Sequence, residues 1–202
     1  EMLLDIAFYF LIFGFIGARL GHVLFYEPAY FLAKPWEVIA VWHGGMSSFG
    51  GFVGAAIGFW VVLKKKKIAR EKWLDIMDQL SFVGLFGWLF ARVGCFCIHD
   101  HLGMPCSGSC LLAMDGPDVP RYDMGILEIL ALAPLAIGFY LLRKRDMGTG
   151  WFTSVLMMYY GIVRFFLDFM RATDIEEADA RLFGLTPGQY GSIVMLIIGI
   201  GI

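Results

Sequence analysis

The chain has 202 residues, of which 59% are hydrophobic and only 17% charged, with 19 Phe and 6 Trp. Such usage lies far from that of water-soluble domains and excludes an ordinary soluble enzyme. The formal net charge of −2 conceals a strong segregation of charge along the chain, and no nucleic-acid partner is expected.

Six stretches are long enough, or nearly so, to cross a hydrocarbon core of about 30 Å at about 1.5 Å per helical residue. They lie at 3–24, 48–63, 73–95, 125–142, 149–171 and 186–202. The connections leave no room for a soluble domain and no internal repeat is visible. The expected fold is therefore an all-α polytopic integral membrane protein, a single transmembrane helical domain over 1–202. Because the sequence opens on Glu1 and closes on Gly199-Ile-Gly-Ile202, further chain is expected beyond both ends.

The first span carries Arg19 and His22 near its end and runs into Tyr26. Loop 25–47 is broken at Glu27-Pro28 and Lys34-Pro35, and Trp36 and Trp42 suit interfacial anchoring. Gly44-Gly45 and Gly50-Gly51 bracket the mouth of the second span, where glycine lets backbone approach a ligand or offers N–H groups to a phosphate. Deeper, Gly54 and Gly58 read as close helix packing. Lysines 64–67, with Arg70 and Lys72, follow the second span, and Arg143-Lys144-Arg145 follows the fourth. The positive-inside rule makes both cytoplasmic, which places loops 25–47, 96–124 and 172–185 outside.

The third span ends in a run from Ala91 to Cys106 that gathers Arg92, Cys95, Cys97, His99, Asp100 and His101. The cysteines admit several readings: soft metal ligands, a disulfide closing Cys106 to Cys110 on the oxidising outer face, or small buried side chains. Their spacing matches no standard zinc pattern, so no metal is assigned. In the fifth span Arg164, Asp168 and Arg171 follow i, i+4, i+7 and share one face. Asp168 can neutralise one arginine and leaves the other for a bidentate phosphate contact.

With that orientation, Arg19, Arg92, Arg164, Asp168 and Arg171 and all four histidines (His22, His43, His99, His101) fall at the outer ends of their helices. A cation near hydrocarbon costs several kcal/mol unless it holds an anion, so several at one depth suggest a site for an anionic head group. A channel or transporter would spread its charges through the membrane depth or pair discontinuous repeats, and neither pattern is present.

Four blocks resemble prolipoprotein diacylglyceryl transferases. They are Gly17-Ala-Arg-Leu-Gly-His-Val-Leu-Phe-Tyr26, Val41-Trp-His-Gly-Gly-Met-Ser-Ser-Phe-Gly-Gly51, Ala91-Arg-Val-Gly-Cys-Phe96 continuing to Gly103, and Tyr160-Gly-Ile-Val-Arg-Phe-Phe-Leu-Asp-Phe-Met-Arg171. A weaker echo, Thr186-Pro-Gly-Gln-Tyr-Gly-Ser192, opens the last span. The resemblance implies a bacterial inner-membrane enzyme with its site facing the periplasm and one more membrane segment before residue 1. It also implies transfer of diacylglyceryl from phosphatidylglycerol to a precursor's lipobox cysteine, releasing glycerol 1-phosphate without a cofactor.

By motif position Tyr26, Arg92, Arg164, Asp168 and Arg171 match the family's site; with Arg19, read from its embedded charge, and Gly44 and Gly45, read from the loop, they are the expected phospholipid-binding residues. The family's second block, however, reads Ser-Phe-His-Gly-Gly, and Phe49 takes the histidine's slot. Cys95 replaces the Asn after Arg-Leu-Gly, Asp100 the usual Glu, and Arg121-Tyr122-Asp123 a His-Pro pair. Two readings follow. Either the base has moved to His43, His99 or His101, with Asp100 as orienting partner, or the chain keeps the fold as a lipid-binding or structural subunit beside other membrane subunits.

Overall fold

The structure, a computed structural model, describes residues 2–99, 101–106, 110, 112–114, 119–175 and 181–202, apart from the side chains of Leu3, Ser48 and Phe49. The backbone divides into two compact units, Glu1–Trp73 and Leu74–Ile202.

The first unit is a helical hairpin with an arm at its turn. Helix α1 (Met2–Phe25) leads through α2 (Pro28–Ala33) and two 3-10 turns, Pro35–Val38 and Val41–His43, into α3 (Ser48–Lys65). Pro28 opens α2 at a position where its missing N–H costs nothing. The two long helices run antiparallel and nearly touch. A Cβ on Gly17 would meet the Gly50 carbonyl oxygen at 2.4 Å, one on Gly54 the Phe13 oxygen at 2.1 Å, and one on Gly58 the Tyr9 oxygen at 2.7 Å. In lipid, where apolar side chains gain nothing by leaving one solvent for another, such backbone proximity is what holds two helices together. Gly54 and Gly58 thus pack as expected. Gly50 does too, since its Cβ would lie 2.3 Å from the Gly17 oxygen, and the ligand role read for it is replaced by helix contact. Ser47 caps α3 by accepting from the Gly50 N–H at 3.2 Å. The far end is fixed by a Lys66–Asp5 ion pair and a 2.7 Å hydrogen bond from Lys65 to the Tyr9 hydroxyl.

The second unit holds α4 (Trp73–Ile98), a three-stranded antiparallel sheet, α5 (Met124–Leu142), α6 (Trp151–Leu167) and α7 (Pro187–Gly201). Leu85, Leu132, Leu135, Ala136, Phe139 and Tyr160 form its buried core. Asp78 of α4 starts α6, accepting from the N–H groups of Gly150 at 2.7 Å and Thr153 at 2.8 Å. Thr186 and Gln189 close a capping box on α7, with Pro187 behind the cap.

All six expected spans are helices, and the chain is a helical membrane protein. Among the described residues four helices (α1, α4, α5 and the stretch Trp151–Met170) are long and apolar enough to cross a bilayer by length and composition, whereas α3 and α7 are shorter. The loop after α4 departs from the all-helical expectation. Its strands β1 (Leu102–Pro105), β2 (Ala113–Met114) and β3 (Arg121–Asp123) pair in the order β1-β3-β2. The segments are so short that neither alternation nor propensity marks them. Cys106 and Cys110 form a disulfide, which selects one of the readings open for these cysteines, while Cys95 and Cys97 are free.

A candidate active site around a buried carboxylate

Glu128 lies one turn inside α5 and is 1% exposed. A carboxylate so placed is tolerated only if its oxygens are fully engaged. Oε1 accepts from the Trp88 indole N–H at 2.8 Å and from the Tyr160 hydroxyl at 2.9 Å. Oε2 faces two guanidinium groups, with Arg92 Nε at 3.0 Å and Arg164 Nη1 at 3.3 Å. Helices α4, α5 and α6 thus meet on one acid, and Arg92 and Arg164 converge as the sequence led us to expect. Arg92 also lies over the Trp88 ring, 4.6 Å from its centroid.

Asp168 begins the 3-10 turn Asp168–Met170 after α6 and is fully buried. Its Oδ1 is 3.0 Å from Arg164 Nη2 and 3.9 Å from Arg171 Nη1, and its Oδ2 accepts from the Thr186 hydroxyl. Arg164 therefore bridges both acids, whereas the sequence had offered Asp168 as the partner of one of the two arginines on its face. Arg92, Arg164 and Arg171 are thereby gathered around Glu128 and Asp168, a concentration of guanidinium groups of the kind that binds phosphate.

Glu128 was missing from the expected site, although an acid inside an apolar span is itself a signal.

Just beyond the C-terminal end of α4, His99 Nδ1 sits 2.8 Å from Asp123 Oδ2. Asp123 Oδ1 simultaneously accepts from the Ile126 N–H at 3.1 Å and caps α5. The partner expected for His99 was Asp100, which lies outside the described residues; the acid observed comes from 24 positions along the chain. His101 is half-buried, and its carbonyl accepts from the Met124 N–H at 3.0 Å. Nearby, buried Arg121 grips Asp174 with two hydrogen bonds of 2.8 and 2.6 Å. These bonds hold the Asp174 carboxyl below its ordinary range.

In the first unit Arg19, Gly44 and Gly45, expected at the phospholipid, are engaged with one another. Arg19 is 5% exposed. Its Nε donates to Val38 at 2.9 Å, Nη1 to Gly44 and Gly45, and Nη2 to Glu37 and Ala40, all at backbone carbonyls. A guanidinium has five N–H groups, and all five are spent. Arg19 latches the arm 35–45 onto α1. Gly44 and Gly45 have φ of +82° and +76°, a left-handed pair that turns their carbonyls toward this latch. A Cβ on Gly45 would also meet the His22 ring at 2.5 Å. Tyr26 is exposed and stacks on His22, and His43 pairs with Glu37 at 2.8 Å.

A family model described as prolipoprotein diacylglyceryl transferase matches residues 1–202. The chain is 34% identical to the phosphatidylglycerol–prolipoprotein diacylglyceryl transferase of Nitrosomonas europaea, over all of this chain and 72% of the relative. It is 35% identical to that of Dechloromonas aromatica over 99% of this chain and 76% of the relative. It is 30% identical to that of Cupriavidus metallidurans over 96% and 72%. With arginines from α4 and α6 gathered at one acid and a similarity that runs the whole length of the sequence, the chain belongs to the prolipoprotein diacylglyceryl transferase family.

Proposed function

We propose that this chain transfers the diacylglyceryl group of phosphatidylglycerol to the cysteine thiol of a lipoprotein precursor, in the bacterial inner membrane and with its site toward the periplasm. The observation that carries this reading is the meeting of Arg92 and Arg164 on Glu128. The thiol sulfur attacks the glyceryl carbon bonded to the phosphate oxygen. The carbon–oxygen bond breaks, its electron pair passes to that oxygen, and glycerol 1-phosphate departs with an added negative charge. Guanidinium groups fixed beforehand in a low-dielectric site stabilise that charge without reorganising, commonly the largest single contribution to such a rate. Glu128 would hold the two arginines at one spacing, while Asp168 and Arg171 extend the cluster. The outward orientation is supported by the basic runs at 64–67 and 143–145.

The test is an assay in phosphatidylglycerol bilayers with a lipobox peptide, read by mass spectrometry of the thioether product. The parent chain forms product, and Arg92→Ala lowers its rate by about 100-fold or more, the scale of losing one preorganised donor to a developing oxyanion. No thioether from the parent, with phosphatidylglycerol still bound, would replace catalysis by lipid binding alone. Gain of product on Phe49→His would establish that outcome as loss of the motif histidine.

A further inference from the structure

The reaction needs a group that takes the thiol proton, and this sequence has Phe49 where the family motif carries histidine. We propose, resting on the diacylglyceryl-transfer reading above, that the His99–Asp123 pair is the thiol base of this chain, with His99 Nε2 as proton acceptor and Asp123 as its positioning residue.

Three independent features support the assignment. The first is the pair itself. Asp123 is 1% exposed and holds Nδ1 at 2.8 Å, whereas the His99 side chain is 45% exposed. With Nδ1–H donating to the carboxylate, the imidazole is fixed in the tautomer whose Nε2 lone pair faces outward. An edge-on contact with Phe96, at 5.8 Å between ring centroids, holds the ring plane.

The second is backbone strain. His99 has φ of +50°, in the left-handed region that non-glycine residues enter at a cost. At a helix end glycine would take this conformation freely, so a side chain retained there marks a constraint on where that side chain sits.

The third is spacing. Arg92–Glu128 and His99–Asp123 form two rungs between α4 and the start of α5. Seven residues separate the rungs along α4 and five along the start of α5, which corresponds to about 10 and 7 Å at the helical rise. An extended line from a bound phosphorus through the breaking C–O bond and the attacking sulfur to a hydrogen-bonded base is about 8 Å long. A phosphate at Arg92 and Arg164 thus puts the attacking thiol within reach of His99.

The step balances simply. The thiol proton moves to Nε2, the sulfur electron pair forms the C–S bond, and the C–O pair leaves with the phosphate. The imidazolium, stabilised by Asp123, then returns its proton to the phosphate product or to water.

The experiment compares two lipobox peptides in phosphatidylglycerol proteoliposomes, one with cysteine and one with selenocysteine, whose selenol is already ionised at neutral pH and needs no base. His99→Gln is expected to lower the cysteine rate by about 100-fold or more, the usual worth of a positioned base. The selenocysteine peptide should continue to react at close to the parent rate, and added imidazole should restore part of the cysteine rate. Asp123→Asn, which keeps the α5 cap, should reproduce the same selectivity more weakly.

Equal loss with both peptides would reduce the pair to a structural contact and overturn the proposal. So would an undiminished cysteine rate in His99→Gln, or a cysteine-specific loss in His101→Gln instead. A parent chain inert toward both peptides would instead reject the transferase reading, so the two failures are distinguishable.

Discussion

Arg19 of the first unit resembles Arg92 and Arg164 of the other along the sequence: each is an arginine toward the C-terminal end of an apolar helix. Their surroundings separate them. Arg19 faces only carbonyl oxygens, whose partial charges satisfy its donors one by one and leave nothing over. Arg92 and Arg164 share a full carboxylate with two neutral donors, and Arg164 reaches a second one at Asp168. A buried arginine becomes a binding group when its partners are fewer than its donors, and a latch when they match.

This contrast can be broken most severely at Glu128. Glu128→Ala leaves two guanidinium groups buried without their anion, and losing one partner of a buried ion pair costs about 3–5 kcal/mol. A fall in thermal stability of the detergent-purified protein, together with loss of transferase activity, is expected. Glu128→Gln keeps the shape but removes the charge, and its stability should fall between those of Glu128→Ala and the parent.

Arg19→Ala comes next, because five carbonyls lose their donor at about 1–3 kcal/mol for each one left buried without water. Limited proteolysis within 34–45 should then speed up. Phosphatidylglycerol binding by the cluster around Glu128, measured by native mass spectrometry, should persist. If binding fell as in Arg92→Ala, Arg19 would be a ligand after all.

Arg92→Lys is milder. It retains the charge but not the planar fork, and a weakening of phosphatidylglycerol binding of about tenfold is expected.

The smallest effect belongs to Asp174. Its folded-state carboxyl titrates below the ordinary 3.8 because Arg121 donates to it. A depressed value means that the stabilising contribution is complete above the unfolded value and is lost as pH falls through the folded one. The tie between 121 and 174 should therefore hold at neutral and mildly acid pH and loosen only below about pH 4. Hydrogen exchange at 171–174 would register that release, and Asp174→Asn should abolish its pH dependence.

The helices were legible because spans announce themselves by apolar length. Much of the site was not. Arg92 and Arg164 were found since an arginine in an apolar run is conspicuous, yet Glu128, the acid that organises them, was passed over in the run from Met124 to Leu142. The partners of Arg19 could not be read, because they are main-chain carbonyls, which leave no trace in side-chain chemistry. Sequence adjacency offered Asp100 to His99, but could not show that the returning strand β3 brings Asp123 to the same ring from 24 positions away. Gly50 was given a ligand's role because a loop glycine and a packing glycine read the same until the opposite backbone is seen.

The acid on α5 also has a consequence for biogenesis. A lone carboxylate is an obstacle when a nascent segment partitions from the translocon into lipid. Arg92 belongs to the span synthesised just before, so a counter-ion is waiting when Glu128 emerges; Arg164 arrives one span later and locks the trio. Insertion of this half of the protein is thereby given a direction, with each new span entering the bilayer against a charge already left there for it.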